Sequence, residues 1–186
     1  MTVKQIITDV AYLLDDNRLL TAINTDNFAG HLQNEQNLLV KCVNFVNNII
    51  ATDYFPLISS KKLLTNVNTV PFSDITKSTI FDILQVKDDY GYVTPFKVTN
   101  EGVETVKGNI TIKYAYLPED VTYDSSITAY PIKINTRIFA YGVASEYLFI
   151  KGNYDDGEIW EERFKNAMKA LQRTRKNVVM PKRRWK

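Results

Sequence analysis

The sequence predicts an α+β fold, in which helices from both ends of the chain form a bundle and a small antiparallel β-region is inserted between them. Three observations support this prediction. Apolar residues recur at three- and four-residue spacing near both ends of the chain. In the middle they alternate with polar residues, which is typical of strands with one buried face. The length of 186 residues and the apolar content of 45% favour one domain, or one domain carrying an insertion.

Two helices are predicted in the N-terminal section, residues 1–56. Thr2 is suited to cap the first helix, and the apolar residues that follow keep helical spacing: Val3, Ile6, Ile7, Val10, Leu13 and Leu14. Residues 15–31 show a mixed pattern, and we expect the helix to end at its first three residues. The second predicted helix covers residues 32–53. Its apolar stripe would face the bundle: Leu38, Leu39, Cys42, Phe45, Val46, Ile49 and Ile50.

The inserted section, residues 57–118, changes to a period of two residues. The alternation is clearest in the stretch that carries these inward residues: Ile110, Ile112, Tyr114 and Tyr116. Four further strands are predicted, the first of them at an edge: 63–70, 81–86, 92–98 and 103–106. Turns at residues 88–91 and 107–109 are expected to join neighbouring strands, which gives one small antiparallel sheet.

Helices are predicted again in the C-terminal section, residues 119–173. One helix covers residues 135–151 and ends at Gly152, because glycine readily adopts the left-handed conformation found after helices. Its broad apolar face would hold Ile138, Phe139, Tyr141, Val143, Tyr147, Leu148 and Ile150. The last helix begins near Asp155 and Asp156, where the helix dipole favours acidic groups, and ends near Arg173. Its inward residues would be Ile159, Trp160, Phe164, Ala167, Met168 and Leu171.

The numbers of cysteines and histidines restrict the chemistry of the chain. Cys42, the one cysteine, excludes an internal disulfide and a cysteine-based zinc site. It lies in a predicted apolar stripe, and we interpret it as a core residue because free cysteine is among the most buried residue types. His31, the one histidine, is interpreted as an exposed or capping residue. The sequence has no nucleotide-binding, serine-hydrolase or zinc-protease motif, so we predict no enzyme activity, metal or cofactor.

Three pairs of neighbouring aspartates occur, at positions 15–16, 88–89 and 155–156. None has the ligand spacing of a calcium-binding EF-hand loop. Each pair coincides with a predicted helix end or turn, where aspartate is expected for local reasons. We therefore interpret all three pairs as caps and turn residues. An enzyme whose carboxylates are brought together only by the fold, as in glycosidases, remains an alternative.

Aromatic residues are numerous, with 11 tyrosines and 9 phenylalanines. Three fall on inward helix faces and are predicted to lie in the core: Phe45, Phe139 and Phe164. Five lie near predicted turns and are candidates for an interface: Tyr54, Phe55, Tyr90, Tyr92 and Tyr130. Tyrosine is enriched where proteins contact each other, so exposed members of this second group would favour a binding role.

The C-terminal segment, residues 174–186, is predicted as a basic extended tail. Residues 173–186 contain seven of the 23 basic residues and none of the 21 acidic residues. Residues 1–172 therefore carry a net charge of −5. Apolar side chains and a tryptophan accompany the basic ones, and Trp and Arg are typical of interface hot spots. We predict that this segment docks on a partner. The candidate partner-binding residues are Arg175, Lys176, Val178, Val179, Met180, Lys182, Arg183, Arg184 and Trp185.

Three stretches of the sequence stand in a characteristic order of elements. In the N-terminal half, a short helix and a spacer precede a helix that ends in IIATDYFP at residues 49–56. IKYAYLP at residues 112–118 then precedes a loop and a helix. KGNY at residues 151–154 is followed by a helix that contains Trp160, Phe164, Met168 and Leu171. In these stretches and their order the chain resembles the head–tail adaptor proteins of tailed bacteriophages, and most of all those of short-tailed phages.

The resemblance implies a structural virion protein without enzymatic activity, made in the host cytoplasm and located in the neck of the virion. Such adaptors form a ring, typically of twelve copies, beneath the portal protein. They extend the DNA channel, which passes DNA without sequence specificity, and provide the platform for the next tail component. The C-terminal segment of these proteins commonly grips the portal, which would give Val178 and its neighbours a role. The sequence has no apolar run that approaches the roughly 18 residues of a membrane span, so no membrane partner is expected.

Two other functions remain alternatives to a connector. A tail-completion protein, or another ring protein of the neck, would contact the tail and not the portal. A small nucleic-acid-binding protein would use the basic tail and would bind DNA with an affinity that falls steeply between about 50 and 200 mM salt. The acidic character of the rest of the chain argues against the second alternative.

Overall fold

The computed structural model describes residues 1–127, 130 and 134–173, and it confirms an α+β fold with β-structure inserted between helices. The described residues divide into two compact units. The helical unit contains residues 1–46, 122–126 and 134–173, and the β-unit contains residues 47–121, 127 and 130. No helix within these described ranges combines the length and apolar character needed to cross a membrane.

The first helix, α1 (Val3–Leu13), agrees with the prediction from the sequence. The Thr2 hydroxyl accepts a hydrogen bond from the backbone N–H of Gln5 (3.2 Å), and the Gln5 side chain accepts one from the N–H of Thr2 (2.9 Å). This capping box satisfies two backbone donors that the first turn leaves unpaired. The helix buries five residues: Val3, Ile6, Ile7, Val10 and Ala11.

A second helix, α2 (Asn17–Thr25), lies within residues 15–31, for which no helix was predicted. Asp16, which was expected to help end α1, begins α2, because its carboxylate accepts hydrogen bonds from the N–H groups of Arg18 and Leu19 (3.0 and 3.1 Å). The helix buries Leu19, Ala22 and Ile23. Its other residues are mostly polar, so the short apolar face gave too little periodicity to predict it.

The next helix, α3 (His31–Ile49), is followed by a π-helical turn over Ile50–Tyr54. The sequence predicted a single α-helix over residues 32–53. The predicted inward face is wrong at Phe45, which is 52% exposed. The buried face instead contains Leu39, Cys42, Val43, Val46 and Asn47. Phe45 and Val43 are two positions apart and therefore lie on different sides of the helix. The apolar residues of α3 extend over more than one face, which made the inward one ambiguous.

The β-unit has two three-stranded antiparallel sheets where the sequence predicted one. The first sheet has the order β1-β6-β3, with β1 at Leu57–Thr65, β3 at Ile80–Asp88 and β6 at Gly108–Tyr116 in the centre. Leu57 pairs with Tyr116 and Thr65 with Gly108. The predicted alternation in β6 is confirmed, since Ile110, Ile112 and Tyr114 are buried against Ile83, Val86, Ile75 and Val103.

The second sheet has the order β2-β5-β4 and consists of two-residue strands: Thr69–Val70, Val103–Glu104 and Lys97–Val98. A short helix, α4 (Phe72–Ile75), follows β2. The predicted hairpin between 103–106 and the Ile110 strand is wrong, because β5 pairs with β2 and β4. Gly102 permits this pairing: a Cβ atom at this position would collide with the backbone carbonyl of Val70. The predicted strand over 92–98 is reduced to β4 and an isolated bridge between Val93 and Lys87.

The last two helices, α5 (Thr136–Ile150) and α6 (Tyr154–Arg173), are joined at Gly152, whose φ of 81° is the left-handed conformation predicted for it. Gly142 brings α5 close to its neighbours, since a Cβ there would lie 3.0 Å from Val46 and 3.1 Å from Phe164. Phe139 and Phe164 are core residues, as predicted. Ile150 and Ile159 are more than half exposed, contrary to the prediction. Ile150 is the last residue of α5, and Ile159 lies on the exposed face of α6 with Asp155 and Glu162.

Candidate interaction surfaces

The nine predicted partner-binding residues, at positions 175–185, lie outside the described residues. Three other kinds of candidate from the sequence fall within the described residues: the cysteine and histidine, the acidic pairs, and the aromatic residues near turns.

Cys42 is a core residue, as predicted, with 2% of its surface exposed. Burial, followed by the negative charge of Glu146, raises the pKa of its thiol to about 12. The thiol therefore stays protonated at neutral pH, whereas nucleophilic cysteines react as thiolates. His31 is the first residue of α3 and is exposed, in agreement with its interpretation.

The acidic pairs have the local structural roles that were predicted. Asp16 caps α2, and the Asp88 carboxylate accepts a hydrogen bond from the N–H of Tyr92 (2.8 Å) across the turn after β3. Asp155 and Asp156 lie in the first turn of α6, where Asp156 accepts a hydrogen bond from the Asn153 side chain (2.8 Å). Among the described residues, no three His, Cys, Asp or Glu side chains come together in an arrangement that could hold a metal ion.

The five aromatic residues near turns divide into exposed and internal ones. Tyr90 and Tyr92 are 87% and 73% exposed in the turn after β3, whereas Tyr54 is half-buried. Phe55 is fully buried, so its predicted place at an interface is wrong. The N–H of Phe55 donates a hydrogen bond to the carbonyl oxygen of Ile50. This hydrogen bond closes the π-helical turn, after which the Phe55 side chain lies in the core. Tyr130 makes internal hydrogen bonds to Asn47 and is also unsuited to that role.

The β-unit presents a groove of about 340 Å³ at one end of its larger sheet. Leu64, 70% exposed, lies opposite Asn109 in the register of β1 and β6, and the Asn109 side chain donates a hydrogen bond to Asp89 (3.3 Å). The lining residues are Lys62, Leu63, Leu64, Asp88, Asp89, Asn109, Ile110 and Thr111. Tyr90 follows Asp89 directly, so this end of the sheet combines exposed apolar groups with charged ones.

The helical unit has a groove of about 460 Å³, which we call the helical groove. Its lining residues come from the end of α1, the α5–α6 connection and the start of α6: Leu13, Leu14, Asp16, Tyr147, Leu148, Asn153, Asp156 and Trp160. Trp160 stacks on Tyr141 with ring centroids 5.5 Å apart, and the Arg163 guanidinium lies 4.6 Å from its ring centroid. Trp160 was predicted to face inward, and the groove was not predicted, because residues 13–16 and residues 147–160 are distant in the sequence.

Charges of both signs lie beside the helical groove. Burial and then the charge of Glu35 raise the pKa of Tyr147, whereas the charge of Lys151 lowers it. The Lys151 ammonium lies 3.3 Å from a carboxylate oxygen of Glu35 and 5.3 Å from the Tyr147 ring centroid. The charged residues that line the groove itself, Asp16 and Asp156, are both negative.

These surfaces offer apolar and acidic groups that a protein segment can contact, since exposed aromatic rings and partly buried apolar clefts are typical of protein interfaces. Comparison of the chain with protein-family models and with curated protein sequences gave no match. The proposals that follow rest on the sequence and on the surfaces described above.

Proposed function

We propose that this chain is a structural protein of a bacteriophage neck, a head–tail connector that joins the portal protein to the tail. The observation that carries the proposal is the order of elements: three helices, a β-region, and two helices that complete the helical unit. The resemblance to adaptors of short-tailed phages implies a β-region inserted into a helical bundle, and this insertion supports the proposal, although α2 lies where the resemblance implied a spacer. Twelve copies would form a ring that extends the DNA channel, and the ring would offer its far side to the next tail component.

Two of the stretches that carry the resemblance occupy defined structural positions. Residues 112–116 form the second half of β6, the central strand of the larger sheet, and the N–H of Leu117 then donates a hydrogen bond to the carbonyl of Thr79 (2.9 Å). Residues 151–154 connect α5 and α6, where the N–H of Asn153 donates a hydrogen bond to the carbonyl of Leu148 (2.9 Å). Both stretches thus position elements of the fold, which suits a structural role.

Exposed apolar side chains support a role in assembly. Phe45, Ile150 and Tyr154 on the helical unit are each more than half exposed, as are Leu64 and Tyr90 on the β-unit. A ring subunit uses two different surfaces, one for each neighbour, and closed rings arise from such head-to-tail contacts. The exposed apolar groups on both units are suited to these contacts, since covering them stabilises the assembly by roughly 25 cal/mol per Å².

Residues 175–185 supply the proposed contact with the portal. Their apolar side chains and Trp185 would anchor the segment, and the basic residues would steer it toward an acidic surface. A partner that binds this segment must offset an ordering cost of roughly 1–2 kcal/mol for each residue that becomes fixed. Exposed ion pairs contribute only about 0–1 kcal/mol each, so the apolar contacts carry most of the affinity.

Electron microscopy of purified phage particles that carry an epitope-tagged copy of this chain tests the proposal. We expect antibody density at the junction of head and tail, and a ring with a central hole after averaging. Absence of the tagged chain from purified particles, or its presence as a monomer or two-fold dimer, would contradict the proposal. Salt-sensitive binding of the isolated protein to DNA, without a ring, would instead favour the nucleic-acid alternative.

A further inference from the structure

The helical groove has both an apolar floor and an acidic lining. Leu13, Leu14, Leu148 and Trp160 supply the apolar part, and all four are half-buried. Asp16 and Asp156 supply the charge. Such a groove fits a segment that combines an apolar or aromatic anchor with basic side chains, because each component of the segment meets its complement.

Carboxylates are frequent in the first half of α6. Residues 155–162 contain five, Asp155, Asp156, Glu158, Glu161 and Glu162, and the one basic residue of this half is Arg163, which lies against the Trp160 ring. The Glu161 carboxylate is engaged by Lys165 at 2.6 Å. Asp155, Asp156, Glu158 and Glu162 are exposed. The surface that leads from the groove along α6 therefore attracts a basic chain.

The C-terminal segment of this same chain has the required composition. It begins directly after α6, carries Val178, Val179 and Met180, and ends in Lys182, Arg183, Arg184, Trp185 and Lys186. From Trp160 to the end of α6 is about 20 Å, at 1.5 Å per helical residue. An extended chain from residue 174 to Trp185 spans up to about 40 Å, which is more than the return distance.

We propose that the helical groove binds the C-terminal segment of its own chain, with Trp185 in the apolar part and the neighbouring Lys and Arg residues facing Asp156 and the acidic half of α6. Because the segment is tethered, its effective concentration at the groove is in the millimolar range, so weak contacts hold it. A partner that takes up Trp185 has to displace it from the groove. This inference does not depend on the proposed function and is tested on the isolated protein.

The test attaches a nitroxide label to the last residue of the full chain and measures, by NMR, the broadening of the Trp160 indole N–H signal. Lys186→Cys supplies the attachment point, since the only native cysteine, Cys42, is buried and protonated. The chain has two tryptophans, so its ¹H–¹⁵N spectrum shows two indole N–H signals, which Trp185→Phe assigns. We expect the label to broaden the Trp160 signal, with the same broadening after tenfold dilution.

Asp156→Lys and 0.5 M salt should each restore most of the Trp160 signal, whereas the matched control Glu101→Lys, an exposed charge reversal in the β-unit, should leave the broadening unchanged. Trp185→Ala should also restore the signal, and more than Lys182→Ala does. A Trp160 signal that the label never broadens overturns the proposal. Broadening that weakens on dilution overturns it as well, because it assigns the occupant to another copy of the chain.

Discussion

The hydroxyl oxygen of Tyr130 lies 2.8 Å from the backbone carbonyl oxygen of Asn47 and 2.6 Å from its side-chain oxygen, across 83 residues of sequence. Asn47 is 1% exposed on the last turn of α3. A buried amide needs partners, and Tyr130 is the partner that the fold brings to it. Burial also raises the pKa of the Tyr130 hydroxyl, so it remains a hydrogen-bond donor at every physiological pH.

Tyr130→Phe should therefore destabilise the protein by about 1–3 kcal/mol, because Asn47 is left with a buried acceptor that has lost its donor. Urea denaturation followed by circular dichroism measures the change. Tyr92→Phe is the matched control, since Tyr92 is exposed and its substitution should change the free energy of unfolding by less than about 0.5 kcal/mol. Equal effects of the two substitutions would show that the Asn47 contact contributes nothing.

Substitution of Gly91 and Gly102 by alanine separates two costs to stability, the strain of a left-handed backbone and the collision of a Cβ atom with its neighbours. Both have positive φ, 156° and 86°, but only a Cβ at Gly102 would meet other atoms, those of Val70 and Pro71. Gly91→Ala should cost about 1–2 kcal/mol from the left-handed conformation alone. Gly102→Ala should cost more, because the β2–β5 pairing has to separate. Thermal unfolding of both variants measures the difference, and equal melting temperatures would refute the packing argument.

The local features of this fold were predictable from sequence, and the distant pairings were not. The N-cap at Thr2 and the alternation along β6 lie within a few residues and were predicted. The pairing of β5 with β2 and β4, and not with β6, depends on the close approach of Gly102 to Val70, which no short window contains. The place of Phe45 was missed because α3 has apolar residues on more than one face, and only its neighbours determine which face is buried.

The same distinction applies to the candidate surfaces. Asp88 and Cys42 were interpreted from local pattern, and the structure confirms these interpretations. Asp16 is a cap, as interpreted, but it begins α2 and does not end α1. The helical groove was not predicted, because residues 13–16 and residues 147–160 meet only in the folded chain. The one local signal was an aromatic residue, Trp160, shortly after an acidic helix start.

Glu146 should make stability depend on pH. Burial, and next the charge of Glu161, raises the pKa of the Glu146 carboxyl in the folded protein. A raised folded-state pKa contributes stability below the ordinary glutamate value of about 4.5, and this contribution is lost as the pH rises through the folded-state value. Glu146→Gln should therefore raise the melting temperature at pH 7 and change it less at pH 4. Glu162→Gln, at an exposed position on α6, is the control for the loss of a carboxylate. A Glu146→Gln change in melting temperature that is equal at the two pH values would contradict the prediction.

Phe45 should matter for assembly and not for folding. Its side chain is 52% exposed on α3, so Phe45→Ser should change the free energy of unfolding by about 1 kcal/mol or less. If the chain is a ring subunit, loss of this apolar contact should reduce the amount of the protein in particles. Phe139→Ala is the contrasting variant, because Phe139 is fully buried and its truncation should cost about 3–5 kcal/mol. A Phe45→Ser protein that enters particles normally would remove Phe45 from the proposed interface.

Deletion of residues 177–186 should leave the helical unit and the β-unit folded but block incorporation into particles. The deletion begins beyond α6, so circular dichroism and the urea midpoint should stay close to those of the full chain. Within the segment, Trp185→Ala should reduce incorporation more than Lys182→Ala, because burial of an aromatic side chain offsets the ordering cost and one exposed ion pair does not. Quantitative mass spectrometry of purified particles measures both effects. Normal infectivity of particles made with the truncated protein would refute a docking role for the tail. A larger effect of Lys182→Ala than of Trp185→Ala would show that charge supplies most of the affinity.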